Sequence, residues 1–346
     1  MNARIRIRAL GAALAAGTLL AATGTAQAQT VNLTLSSWVP PTHYVNAAIL
    51  QPWMDEVKKV TNGRVTVSML PKPVGSPAQH WELARKGVAD ITWGNFTYEA
   101  ERFKHVWFSE LPLMGSNCTA SSVALWRTYE KFLASNDAFK GVVMLGTGLL
   151  GGGQLHHPSK PVDTLNALKG QKVRMGGPIQ KRLLEELGAI PVAGPGTKAY
   201  ELLEGGVIDA SLHPLESVVN FRLDGKLKHH TVIAGGLYDA AFFIGINEGK
   251  WNRLSAADRQ AIMKISGEAL SRRWGEQFDK QNQAANTKLR AEGHVFTEPK
   301  SDLLNMVRKV RSDMLQELHA EGPKFGVQDH NAMVAFYEQQ YKAVAK

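Results

Sequence analysis

The stretch Pro161-Val-Asp-Thr-Leu-Asn-Ala-Leu-Lys-Gly-Gln-Lys-Val-Arg174, continued by Leu187-Gly-Ala-Ile-Pro-Val192 and Tyr200-Glu-Leu-Leu-Glu-Gly-Gly-Val-Ile-Asp209, decides how the chain folds. Lys172 to Met175 and Val207 to Leu212 are short apolar runs bounded by glycine, as expected of strands buried in a parallel sheet. Between them, helical patterns pass through Leu183, Leu184 and Leu187 and through Tyr200 to Leu203. Each is long enough to carry the chain from one parallel strand to the next, so the stretch reads as consecutive βαβ units. Arg174 then falls at the carboxyl end of a strand, beside Gly176 and Gly177, where open α/β sheets bind ligands. A guanidinium there presents a rigid pair of donors matched to a carboxylate.

The pattern Pro-x-Asp, Leu-Lys-Gly-x-Lys-Val-Arg, Leu-Gly-Ala-x-Pro-Val and Tyr-x-x-Leu-x-x-Gly-Val-Ile-Asp resembles the solute-binding proteins of TRAP transporters, the DctP-type C4-dicarboxylate-binding family. Gly87-Val-Ala-Asp90-Ile91, Phe103 and Pro112-Leu113 extend the resemblance well upstream. It implies a periplasmic protein, not an enzyme and without a cofactor, that delivers an organic acid to a sodium-coupled permease of one small and one large membrane subunit. A monomer is that family's usual form. The resemblance assigns Arg174 to the solute's carboxylate. Two positions depart from the family pattern. His213, in Ala210-Ser-Leu-His213-Pro214, stands where the family has an asparagine facing the ligand, and Gln154 aligns with a frequent second arginine. One cationic anchor and one neutral donor/acceptor shift the expected solute from a C4-dicarboxylate to a monocarboxylate, with aromatic and hydroxylated acids as candidates. His213 reads equally well as a structural residue.

The first 28 residues read as a secretory leader: Arg4, Arg6 and Arg8, an uncharged apolar run from Ala9 to Ala22, and the small-residue cleavage site Ala26-Gln-Ala28. The run is shorter than the roughly 20 residues a membrane span requires. Cleavage leaves 318 residues, which suits two lobes, and lowers the formal charge from +9 to +6. A moderate positive balance favours small anionic solutes. No dense Lys/Arg track interleaved with aromatics is present, which argues against nucleic acid as a partner. The single cysteine, Cys118, leaves no internal disulfide, so ordinary apolar cores must hold the fold.

Other patterns exclude chemistry. Gly146-Thr-Gly148-Leu-Leu-Gly151 fits a dinucleotide fingerprint, but Gly152-Gly153-Gln-Leu-His-His-Pro158 cannot start the helix such a site needs. A glycine-rich crossover between lobes explains it better. The adjacent pairs His156-His157 and His229-His230 point to opposite faces of a strand and cannot chelate one ion, so no metal site is expected and these histidines are read as surface residues. No GxSxG elbow, P-loop or CxxC is present.

The expected architecture is a two-lobed α/β periplasmic-binding fold with a central cleft. Its lobes are discontinuous: 29–152 plus 240–279, and 153–239 plus 280–346. One helix of about 37 residues, running unbroken from Ser255 to Gly293, is expected to bridge them; two helices with a kink is the alternative. Trp38, after the first strand, and Trp93, ending the third, are candidate aromatic walls, although tryptophan is also an ordinary core residue. Tyr238, at the return crossover, either offers its hydroxyl to the ligand or lines the hinge. A binding protein of an ABC-type or sensor system, or an enzyme on the same scaffold, shares much of this physics.

Overall fold

The structure is a computed structural model that describes residues 30–346; the leader read at 1–28 lies outside the described residues. In chain order the strands are β1 (Val31–Ser36), β2 (Val65–Met69), β3 (Ile91–Asn95), β4 (Val142–Gly148), β5 (Gln154–His157), β6 (Lys172–Met175), β7 (Ile190–Ala193), β8 (Ala210–His213), β9 (His229–Thr231), β10 (Phe242–Asn247) and β11 (Val295–Thr297). They build a five-stranded sheet in the order β2-β1-β3-β10-β4 and a six-stranded sheet in the order β11-β9-β5-β8-β6-β7. β6, β7 and β8 run parallel, as the opening stretch requires, with Pro191 in the edge strand β7, where a missing N–H is tolerated.

Each sheet contains one strand antiparallel to both its neighbours, β10 in the first and β5 in the second. Both follow directly on a crossover. The chain leaves the first sheet after β4 and enters the second as β5, then leaves it after β9 and re-enters the first as β10. Two lobes on separate sheets result, joined by the segments 149–153 and 232–241.

Asp239 fastens these two connections to each other. Its buried carboxylate accepts the backbone N–H groups of Leu150 (2.8 Å), Gly151 (3.1 Å) and Ala240 (2.7 Å), and Gly153 bridges Tyr238 in antiparallel fashion. Removing the carboxylate leaves buried donors without acceptors, each costing about 1–3 kcal/mol. With three donors stranded, we expect Asp239→Ala to lower unfolding stability by at least about 3 kcal/mol, measured by denaturant titration. A loss below 0.5 kcal/mol would show that water replaces the carboxylate at no cost.

Two expectations are corrected. The run from Ser255 to Gly293 is two helices, Ala256–Ile265 and Glu268–Ala291, broken at Ser266-Gly267. Gly267 has φ +58° and ψ −125°, a conformation closed to side-chain-bearing residues, and its N–H donates to the Leu145 carbonyl at 2.7 Å. The Glu268–Ala291 helix reaches both lobes, packing on the Cys118–Thr128 helix and β4 of the first and on the Leu215–Asn220 helix of the second. Nor does the whole of 280–346 stay with the second lobe. The last helix, His330–Val344, packs against Cys118–Thr128, with Tyr337 edge-on to Phe108 at 5.3 Å between centroids. Its buried face of Met333, Val334 and Tyr337 completes the first lobe's core.

The paired histidines are also not solvent-facing: His156, His157 and His230 are buried and His229 is half-buried, because β5 and β9 both lie inside their sheet. His156 stands opposite His230 in the ladder, and their Nδ1 atoms are 2.7 Å apart. His230 Nε2 continues to His294 Nδ1 at 2.9 Å, and His156 Nε2 reaches the backbone carbonyl of His213 at 2.9 Å. Among the described residues no group of three or more His, Cys, Asp or Glu side chains is arranged to hold a metal ion.

Candidate ligand-binding site

Between the lobes lies a cleft with about 620 Å3 of space between its walls, part of it open to solvent. The carboxyl ends of β1, β3, β6 and β8 deliver Trp38, Trp93, Arg174 and His213 to it, as the strand-end rule anticipates. The lobes meet at its edge: a Cβ on Gly177 would lie 2.5 Å from the Thr97 hydroxyl oxygen, so only glycine permits this approach.

Arg174 is 5 % exposed. Its Nε donates to the Gly194 carbonyl at 2.8 Å and its Nη1 to the Leu212 carbonyl at 2.9 Å. These bonds aim the fork while leaving Nη2 without an acceptor among the described residues. Among the described residues no carboxylate comes within 4.0 Å of this guanidinium. Burial pulls its pKa below the ordinary arginine value, opposed by the Tyr238 and Tyr98 phenols. A desolvated cation without a counter-charge is costly, and here it faces an open cleft.

Tyr238 lines the cleft, and burial pushes its phenol upward, opposed by Arg174. His213 is 2 % exposed and its Nε2 has no hydrogen-bond partner. Burial, then Arg174 and His156, hold its imidazole well below the usual range, so the ring is neutral beside the cation. Trp38 and Trp93 meet at 4.5 Å between ring centroids, tilted by 31°, and Trp93 Nε1 donates to Ser37 Oγ at 2.9 Å. Phe242 lies 6.0 Å from Trp93, and Phe278 lies 5.2 Å from Tyr44, prolonging the aromatic wall.

Gln154 is elsewhere. Its amide oxygen accepts the Ile233 N–H at 2.8 Å and its nitrogen donates to the Ile233 carbonyl at 3.2 Å, so the side chain ties β5 to the return crossover and does not line the cleft. The expected second polar contact is therefore a structural residue. Sequence reading missed Tyr44, Tyr98, Glu216, Phe242 and Phe278, all of which line the cleft. Tyr98 and Phe242 flank strand ends already assigned to the cleft side; nothing in the pattern marked Glu216.

The sequence profile of the bacterial extracellular solute-binding proteins, family 7 (DctP), matches residues 35–321. The chain belongs to this family. Its fold matches a TRAP periplasmic solute-binding protein of Bordetella bronchiseptica, solved with (R)- and (S)-mandelate, at TM-score 0.87 and 36 % identity over 91 % of this chain and 99 % of that one. A TRAP solute-binding protein of Rhodoferax ferrireducens, solved with copurified benzoate, matches at TM-score 0.83 and 26 % identity over 92 % of this chain and 100 % of that one. Among curated proteins, the outer membrane transporter protein TsaT of Comamonas testosteroni is 29 % identical, covering 92 % of this chain and 94 % of its own. This DctP-family chain is thus the solute-binding subunit of a TRAP transporter, and no described helix is long and apolar enough to cross a membrane.

Proposed function

We propose that the protein captures a single-ring aromatic monocarboxylate in the periplasm and presents it to membrane permease subunits, without chemical turnover. One observation carries the ligand class: among the described residues the only Arg or Lys lining the cleft is the buried, unpaired Arg174, and aromatic faces enclose the space in front of it. A carboxylate relieves the charge, accepting from Nη2 and the remaining Nη1 hydrogen in a charge-assisted pair. The ring then replaces water against Trp38, Trp93, Phe242 and Phe278. Neutral His213 and Tyr238 add hydrogen-bonding capacity without a second positive charge, and Gln154 supplies none to the cleft. A C4-dicarboxylate would bury a second anion with no cation to meet it. The ligands bound in the Bordetella and Rhodoferax relatives, mandelate and benzoate, support the same class.

Lobe closure and binding are then one equilibrium, because walls from both lobes contact one guest. A thermal-shift screen tests the reading. At a hundredfold excess over Kd a ligand that binds only the folded state adds about 2.7 kcal/mol, so benzoate or mandelate should raise the melting temperature clearly while succinate and malate leave it unchanged. Stabilisation by the dicarboxylates alone would reverse the assignment. Recovery of the aromatic acid unaltered after incubation checks the absence of turnover.

A further inference from the structure

Opposite in sign to Arg174, a second buried charge-bearing group lines the same cleft. Glu216 is 3 % exposed and has no Lys, Arg or His partner within 4.0 Å among the described residues. Its carboxyl accepts from the hydroxyl of Ser217 and, at 2.9 Å, from Asn220 Nδ2. Each carboxylate oxygen has two lone-pair directions, so each keeps one to spare. Next to it sits Tyr44, whose buried hydroxyl makes no hydrogen bond within 3.5 Å among the described residues, and whose phenol is pushed upward by burial, then by the charge of Glu216 and by the interaction of the two side chains. A buried donor and a buried acceptor stand side by side, each with hydrogen-bonding capacity to spare, at one end of the cleft.

We propose that Tyr44 and Glu216 form a specificity pair for a hydroxyl group on the ring of the bound acid, Tyr44 donating to the hydroxyl oxygen and Glu216 accepting its proton. This deepens the aromatic-acid reading and rests on it. The chemistry selects a hydroxyl over other substituents. An ammonium group donates but cannot accept from Tyr44, and a methoxy group accepts but cannot donate to Glu216. The same pair disfavours the plain ring, because apolar carbon pressed against it leaves both groups unsatisfied in a dry environment.

Calorimetric titration of the leaderless protein with benzoate, the three hydroxybenzoates and the matching methoxybenzoates tests the pair. At least one hydroxybenzoate should bind about tenfold or more tightly than benzoate, and its methoxy counterpart should lose that gain. Tyr44→Phe and Glu216→Gln should each reduce the hydroxybenzoate-to-benzoate preference at least threefold. Because Glu216 is buried and its variant can fail to fold, Tyr44→Phe, which removes a single oxygen, is the deciding variant. Hydroxybenzoates no better than benzoate, or a preference that survives Tyr44→Phe, would overturn the specificity pair and leave the aromatic-acid reading standing. If none of these acids binds the wild type, both fall together.

Discussion

Arg174→Ala should weaken aromatic-acid binding by about 2–5 kcal/mol, at least about 30-fold in Kd, the usual cost of truncating one partner of a buried hydrogen-bonded charge pair. The reason lies in how the side chain is held. Two of its nitrogens are tied to the Gly194 and Leu212 carbonyls, so the guanidinium is oriented before any ligand arrives and little ordering remains to be done on binding. Arg174→Lys should not rescue, because a single ammonium cannot keep both carbonyls and still offer a two-donor fork. The ligand-free protein separates this role from a structural one. There the substitution loses two hydrogen bonds but removes an unpaired desolvated charge, and the two effects oppose each other. Titration calorimetry beside a melting curve of the empty protein gives both quantities. A Kd within threefold of wild type would make Arg174 a strand-end brace and leave the cleft without its anchor.

Acidification should destabilise the fold steeply from just above pH 6 downward. His43, His105, His156 and His330 are held at about 4 and His230 at about 2, with burial the leading cause in each. All five stay neutral in the folded chain, whereas an unfolded histidine titrates near 6.5. Their contribution is fully present above that value and is lost as pH falls from 6.5 toward 4, because unfolding then takes up protons. Two carboxyls act in the opposite sense: Glu110 and Asp239 are pushed up to about 7 by burial, so the folded state binds their protons first. Five histidines against two carboxyls leave a net uptake of about three protons, or roughly 4 kcal/mol of stability lost per pH unit between 6 and 5. Urea titrations at pH 7.5, 6.0 and 5.0 would measure the slope. A flat or rising stability over that interval would mean that the buried ladder of His156, His230 and His294 shares protons in the folded state.

The fold and the strand ends that face the cleft are legible in the sequence because each rests on a local rule. Short apolar runs between glycines make parallel strands, and a strand's carboxyl end faces the cleft, where Trp38, Trp93, Arg174 and His213 all lie. What could not be read depended on which way a side chain turns or on what covers a strand. Gln154 sits beside the cleft in sequence, yet its amide faces the return crossover. The histidine pairs looked solvated because only the two sheets together reveal that β5 is an interior strand. The break at Gly267 was hidden by apolar spacing that continues on both sides; a glycine after serine within a helical pattern was the available sign. Glu216 and Tyr44 are separated by more than half the cleft-forming chain, and only lobe packing makes them neighbours.

The Glu268–Ala291 helix has a mechanical consequence. It is bolted to the first lobe near its middle, where Asp279 accepts the N–H groups of Cys118 (2.8 Å) and Thr119 (3.0 Å) and a Cβ on Gly275 would collide with Thr119 at 2.3 Å. Beyond that fixed point Asn282 accepts the Glu216 N–H, Lys288 pairs with Asp224, and Leu289 is buried with Val218 and Leu223, all second-lobe partners. The half beyond Asp279 is therefore a lever arm of about 18 Å on a fulcrum. A turn of about 15° between the lobes swings its tip by about 5 Å or breaks those attachments. Any rotation between the lobes is therefore magnified along this arm, and the second-lobe attachments near its tip are the contacts such a rotation would move farthest.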